Sequence, residues 1–399
     1  MTKGPGLLRT PLPEGFAASG VNCGVRRYRP DLGLLFSDRP AVAAGVFTQS
    51  TSRAAPVVYS QMLLPSRSIR AIITNSGQAN AATGPEGVSR NHSLVEATAE
   101  ACQIDASQVL VASTGVIGAQ LATDKILPAL PELFARRQED AAESFALAIL
   151  TTDLVPKTVS TTVALSGGLV RITGIAKGSG MIHPNMATML GYILTDAQMT
   201  PQQADLWLRE CTDQSFNMIS VDGDTSTNDC VFLMANGASG VQISSEDDQV
   251  NFRAALAELS RILAQSIATD GEGATKLIEV NVTGSPSLEL ARRCARSITV
   301  SPLIKTAIHG EDPNWGRVLA RLGAEQVPSD SLSRTGFSFQ GVSVFSGGQP
   351  VAFDREALRG KLKVNKVSLD IDLGSGRFSA TAWGCDLSRK YVDINTEYS

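Results

Sequence analysis

Six short polar segments hold the residues of this chain that could do chemistry. They are Asn75-Ser76-Gly77, Ser113-Thr114-Gly115-Val116-Ile117-Gly118, the stretch 176–190, Val221-Asp222-Gly223-Asp224-Thr225-Ser226-Thr227-Asn228-Asp229, Asp270-Gly271-Glu272-Gly273-Ala274-Thr275-Lys276 and Thr306-Ala307-Ile308-His309-Gly310. Turn formation accounts for their Gly, Asn and Asp, but not for hydroxyls repeatedly set beside glycines at the ends of apolar strands. Strand-end loops are where a rigid scaffold presents binding and catalytic groups.

Several common chemistries fail on spacing. No G-x-S-x-G elbow is present, which argues against an α/β-hydrolase serine. Lys177-Gly178-Ser179-Gly180 opens like a phosphate loop, yet completes neither G-x-x-x-x-G-K-[ST] nor G-x-G-x-x-G. His92, His183 and His309 lie far apart, and no pair has metal-ligand spacing. Asp222-Gly223-Asp224-Thr225-Ser226 resembles the opening of a calcium loop but lacks Gly at the sixth position and has Leu233 at the twelfth.

The elements that must position these segments alternate along the chain. Ala41 to Phe47 and Ile69 to Thr74 read as apolar strands, and Ser89 to Cys102 as a helix. Val109 to Ala112 reads as a buried strand ending at Ser113-Thr114-Gly115. Asp124 to Arg137 reads as a helix, with Ile126, Leu127, Leu130, Leu133 and Phe134 at helical spacing, though Pro128 and Pro131 weigh against its continuity. Glu139 to Leu150 follows as a second helix. Val159 to Leu165 and Leu169 to Ile175 form a hairpin across Gly167-Gly168. Helices are expected over Pro201 to Asn217 and Asn251 to Ala268, then a strand through Ile278, Val280 and Val282. Phe337 to Phe345, Val367 to Leu373 and Phe378 to Trp383 read as strands. Strands and helices mix throughout, so a layered α/β or α+β core is expected, with a smaller α+β domain from about residue 285.

The chain's 399 residues suit two or three domains, and 43% hydrophobic with 19% charged residues excludes a disordered chain. A net charge of −4 argues against nucleic-acid binding. The start shows no signal-peptide core, and no apolar run reaches about 18 residues, so no membrane association is expected and the cytoplasm is the default. Six cysteines without a CxxC pair read as reduced, mostly buried thiols.

At Lys177-Gly-Ser-Gly-Met-Ile-His-Pro-Asn-Met-Ala187-Thr188-Met-Leu the sequence resembles the self-cleavage signature of the ornithine acetyltransferases, also called glutamate N-acetyltransferases. The segments 113–118, 221–229, 270–276 and His309-Gly-Glu-Asp-Pro-Asn-Trp-Gly-Arg317 match the family in the same order, so the resemblance spans nearly the whole chain. It implies a two-sheet sandwich flanked by helices (an αββα-like layered α/β fold). The core domain would be residues 1–284, containing the cleavage site, with the smaller domain at 285–399.

The resemblance also implies the chemistry. The chain cuts itself between Ala187 and Thr188 into chains 1–187 and 188–399. A free N-terminal threonine carries its nucleophilic hydroxyl and an α-amine, of reference pKa about 7.7–8.0, on neighbouring carbons, so the amine can act as local base. Thr188 then takes acetyl from N2-acetyl-L-ornithine and passes it to L-glutamate. Thr114 (hydroxyl) and Gly115 (N–H) match the oxyanion pair. Lys177 matches the carboxylate-binding position and Glu272 the acceptor for ornithine's δ-ammonium, while Thr152, Asn395 and Ser399 match further substrate contacts. Alone, Lys177 and Glu272 would read as solvated charges and Thr114-Gly115 as a strand-ending turn.

No cofactor or metal is implied, and whether acetyl-CoA also serves as donor is left open. The family implies a heterotetramer of two α and two β chains. His183 stands where many relatives have Ala, and Ser399 where others often end in Thr. The rival readings are an N-terminal-nucleophile amidohydrolase or aminopeptidase of the same architecture, and an inactive binding relative.

Overall fold

The structure is a computed structural model and describes residues 10–183 and 189–397. Its chain divides into two compact units that interleave in sequence. The first comprises Met1–Gly178, Asn185–Asp213 and Thr225–Leu263; the second comprises Ser179–Pro184, Gln214–Asp224 and Ala264–Ser399. The second unit thus opens earlier than residue 285 and draws in two short upstream segments.

Among the described residues, the first unit holds an eight-stranded mixed sheet. Its order runs Val109–Val116, Ser66–Gln78, Leu32–Phe47, Cys230–Ala235, Leu190–Thr195, Gly168–Lys177 and Lys157–Leu165, with Phe16–Val21 paired to Leu32–Phe47. Neighbours are antiparallel except for two pairs: Ser66–Gln78 with Val109–Val116, and Leu190–Thr195 with Cys230–Ala235. Strand alternation sends successive side chains to opposite faces. Leu34, Phe36, Ala71, Ile73, Val109 and Val111 pack with Leu94 and Val95 of helix Gly84–Cys102 and with Ile126, Leu130 and Leu133 of helix Thr123–Ala135. Leu35, Ile72, Leu110, Tyr192 and Phe232, of opposite parity, pack with Phe145 of helix Ala142–Ala148. Phe145 meets Tyr192 edge-on at 4.9 Å, and the Tyr192 hydroxyl bonds Thr74 Oγ1 at 2.9 Å.

Among the described residues, the second unit holds a seven-stranded sheet, in the order Gln349–Pro350, Val342–Ser346, Gly336–Phe339, Lys366–Asp372, Leu277–Ser285, Phe378–Cys385 and Ile219–Ser220. Helix Leu288–Val300 contributes buried Leu290, Ala291, Cys294, Ala295 and Ile298 at helical spacing, and Ser287 caps it by accepting from Leu290 N–H. The molecule therefore has two β-sheets flanked by helices.

One sequence expectation holds against its prolines, and another changes. The helix holding Pro128 and Pro131 is continuous over Thr123–Ala135, because its Ile126–Leu130–Leu133 stripe is buried, and packing there outweighs the lost backbone bonds. Phe337 to Phe345 is a hairpin rather than one strand. Gln340 and Gly341 both take positive φ (49° and 73°), as a two-residue turn with primed geometry requires.

Candidate active site

Strand Val109–Val116 runs past its apolar half and carries Thr114 and Gly115 at its end, paired in parallel with Ser76 and Gly77. Gly115 has φ +134°, and a Cβ there would lie 2.2 Å from the Gly77 carbonyl carbon, so only glycine fits. The polar residues beneath are structural. Ser113 Oγ donates to Asn75 Oδ1 at 2.6 Å, and the Asn228 amide donates to the Ser113 and Ala79 carbonyls at 2.9 and 2.5 Å.

Lys177 ends the strand Gly168–Lys177 and is 7% exposed. Its Nζ lies 2.9 Å from Thr151 Oγ1, 3.3 Å from Thr114 Oγ1 and 4.0 Å from Asp153 Oδ2. Asp153 is buried and also accepts Lys157 Nζ at 2.8 Å, Gly178 N–H at 2.7 Å and Thr151 N–H at 3.1 Å. Burial pushes the Asp153 carboxyl up, but Lys177, Lys157 and the Gly178 N–H outweigh it and hold the group well below the usual carboxylate range. The hydroxyl that meets Lys177 is that of Thr151; Thr152 is half-buried on the same turn.

Ala187, Thr188 and Ser399 lie outside the described residues. The chain resumes at Met189, whose carbonyl accepts from Cys230 N–H at 3.1 Å. Leu190 pairs with Lys177 on one side and Cys230 on the other. Asp229, next to this point, is 3% exposed. Burial pushes its carboxyl well up, opposed by hydrogen bonds from Ser226 and the Met189 N–H and by the charge of Lys177. Its Oδ2 has no hydrogen-bond partner among the described residues.

In the second unit, Glu272 is 9% exposed on its glycine-flanked turn. Its N–H donates to the Ser179 carbonyl at 3.0 Å, and its Oε2 accepts the Asn395 amide at 2.9 Å. A Cβ on Gly180 would stand 2.3 Å from Glu272 Oε1, which explains a glycine there. Met181 and Ile182 N–H groups donate to Asp222 at 2.6 and 2.9 Å. Nearby, His183 bridges Ser220 Oγ and Arg296 Nη2, both at 3.2 Å. Burial first, then the positive charge of Arg296, lowers the His183 pKa to about 4. The calcium-like opening at Asp222 thus serves as a backbone clasp. Among the described residues, no group of three or more His, Cys, Asp and Glu is arranged to hold a metal ion, and the six cysteines are free thiols.

The structure thus brings together Thr114, Gly115 and Lys177 in one unit, and Glu272 with Asn395 in the other. Sequence reasoning missed Asp153, Lys157 and Asp229. Asp153 and Lys157 carried a signal, opposite charges four residues apart in an otherwise apolar and hydroxyl-rich stretch. Asp229 ended a motif already singled out.

The sequence matches the model of the ArgJ family over residues 17–399. It is 46% identical over 395 residues to the arginine biosynthesis bifunctional protein ArgJ of Thermotoga neapolitana, covering 97% of this chain and 99% of that one. The protein of the same name from Lactococcus lactis is 44% identical over 389 residues, covering 97% of each. A crystal structure of the Bacillus halodurans protein of that name is similar at a TM-score of 0.51 and 38% identity, covering 52% of this chain and 99% of the solved one. A motif order held from end to end, a full-length family match and relatives near half identity have one reading: this chain belongs to the ArgJ family.

Proposed function

We propose that this protein is a self-cleaving acetyltransferase that moves the acetyl group of N2-acetyl-L-ornithine to L-glutamate, in arginine biosynthesis, through an ester on Thr188. The observation that carries the reading is the family match across residues 17–399. In the cleavage step Thr188 Oγ attacks the Ala187 carbonyl carbon, the carbon–nitrogen bond breaks, and the hydroxyl proton ends on the Thr188 nitrogen. Water then hydrolyses the ester, leaving Ala187 as a free carboxylate and returning the Thr188 hydroxyl beside its already freed α-amine. In turnover that amine takes the Oγ proton as Oγ attacks the acetyl carbonyl, and returns it to the departing α-amine of ornithine. In the second half the α-amine of glutamate attacks the ester carbonyl carbon, the bond from that carbon to Thr188 Oγ breaks, and the Thr188 amine passes the proton lost by the glutamate nitrogen to Oγ.

The geometry around Lys177 supports roles for its neighbours. An ammonium donates only, so Thr114 Oγ1 accepts from Lys177 and keeps its own proton for an oxyanion, beside the Gly115 N–H. Lys177 supplies a cation for the α-carboxylate that both substrates share. Glu272, steadied by Asn395, supplies the anion for the δ-ammonium of ornithine. Thr152 and Ser399 are assigned as further substrate contacts. Relatives are named bifunctional, which fits acetyl-CoA as a second donor. The mature molecule is read as a heterotetramer of two chains of 187 residues and two of 399 − 187 = 212.

Intact-mass analysis of wild type and Thr188→Ala tests the nucleophile: fragments ending at Ala187 and starting at Thr188 are expected in wild type alone. Steady-state assays should show acetylornithine consumption that depends on glutamate. Consumption without that dependence makes the protein a hydrolase and overturns the transfer.

A further inference from the structure

The loop that carries Glu272 is held from below by one buried carboxylate. Asp386 is 2% exposed and accepts four hydrogen bonds. Thr275 N–H and Lys276 N–H donate to its Oδ1 at 2.7 and 2.8 Å; the Thr275 hydroxyl and His309 Nδ1 reach its Oδ2 at 2.5 and 2.6 Å. Its own N–H returns a bond to the Lys276 carbonyl at 3.1 Å. Burial disfavours the charge, but the Thr275 and His309 donors outweigh it and hold the carboxyl below its ordinary range.

The chain leaving Asp386 is tied to the same loop. Ser388 Oγ donates to the Gly273 carbonyl at 2.6 Å and caps helix Arg389–Thr396 through Lys390 N–H. Gly273 lies flat against that helix: a Cβ would stand 2.5 Å from the Tyr391 nitrogen. Asn395, on the same helix, gives its amide to Glu272. Both the backbone under Glu272 and the side chain that steadies its carboxylate therefore lead back to residues 386–388.

We propose that Asp386, oriented by His309, is a positioning residue for substrate: it pins loop 270–276 and helix Arg389–Thr396 in register, so that Glu272 and Asn395 meet the substrate's amine as one prearranged pair. The inference rests on Glu272 being that amine's acceptor. Asp386→Asn turns an NH2 group toward donors that need an acceptor, and His309→Ala removes one donor from Oδ2. Each raises KM for acetylornithine about tenfold, the scale of one hydrogen bond to a charged group, and leaves kcat within about threefold. His309→Asn, which keeps an N–H where Nδ1 stood, restores most of the wild-type KM. Intact mass should show complete self-cleavage in all three.

Glu272→Gln, run alongside, separates two failures. If it raises KM while Asp386→Asn and His309→Ala do not, the positioning role is overturned. If it leaves KM unchanged, the reading of Glu272 falls and the inference with it. The side chain of His309 is 40% exposed, so its two variants decide the matter even where Asp386→Asn fails to fold. Equal loss in His309→Ala and His309→Asn also overturns the proposal.

Discussion

Lys177 sits where a lysine rarely does, at 7% exposure, and Asp153 makes this tolerable. Two lysines, Lys157 and Lys177, approach the one Asp153 carboxylate at 2.8 and 4.0 Å. Lys157 and Asp153 are 1% and 0% exposed, and removing one partner of such a pair leaves an uncompensated charge. Lys157→Met is expected to cost about 3 kcal/mol in urea unfolding, the low end for a broken buried pair, because Lys177 and Gly178 N–H still hold Asp153. Asp153 has its folded pKa lowered, so its contribution is complete above the unfolded pKa of about 3.9 and is lost as pH falls toward the folded value. Comparing wild type with Asp153→Asn should show a stability gap that closes only in acid. For His183 the neutral form is favoured, so the unfolded chain binds more protons between about pH 4 and the unfolded value near 6.5. Stability should therefore rise with pH across that window, and His183→Gln should flatten the Tm profile there. Thr114→Ala should lower kcat by about 10²–10³-fold without stopping the fold, and Thr114→Ser should recover much of it, if the hydroxyl faces the oxyanion.

Glycines act at the scale of elements, where strand ends and turns approach one another too closely for a Cβ. Gly115→Ala would set a methyl 2.2 Å from the Gly77 carbonyl carbon at a φ that L-residues avoid. Lowered Tm and lost activity together are expected. Gly180→Ala differs, since the nearest atoms belong to the Glu272 carboxylate, the end of a side chain that can move. Its expected signature is a raised KM for acetylornithine with Tm nearly unchanged. That the buried strand surfaces at Ser113-Thr114-Gly115 was legible because its apolar run gives way there to hydroxyls and a glycine, although the strand continues to Val116. The hairpin inside Phe337 to Phe345 was not, because Gln340 is not a residue that announces positive φ; only cross-strand pairing on both flanks holds it there.

At the scale of the molecule, the proposed cut between Ala187 and Thr188 would divide one sheet rather than two domains. Strands Leu190–Thr195 and Cys230–Ala235 lie after the cut, and they stand between Gly168–Lys177 and Leu32–Phe47, which lie before it. The two proposed chains would therefore share ladders on both sides of the inserted pair. Cleaved protein should run as one species on native size exclusion and part into chains of 187 and 212 residues only in denaturant. By itself the sequence determined the family and carried the expectation of the cut, the nucleophile and the site's residue types, because those reside in contiguous motifs whose chemistry is local. It also placed strands such as Val109–Val116 and Gly168–Lys177 and helices such as Gly84–Cys102 and Glu246–Thr269, since a period of two or of 3.6 is written in neighbouring residues, but left the strands Leu190–Thr195 and Cys230–Ala235 and the helix Leu288–Val300 unread. Only the tertiary structure decided the interleaving of the two units, the central place of the post-cleavage strands, and the support of Lys177 by Asp153 and of Glu272 by Asp386 through Thr275 and Lys276. Those pairings join positions tens to more than a hundred residues apart, and burial, which sets both the charge state and the cost of each such group, has no expression along the chain until it folds.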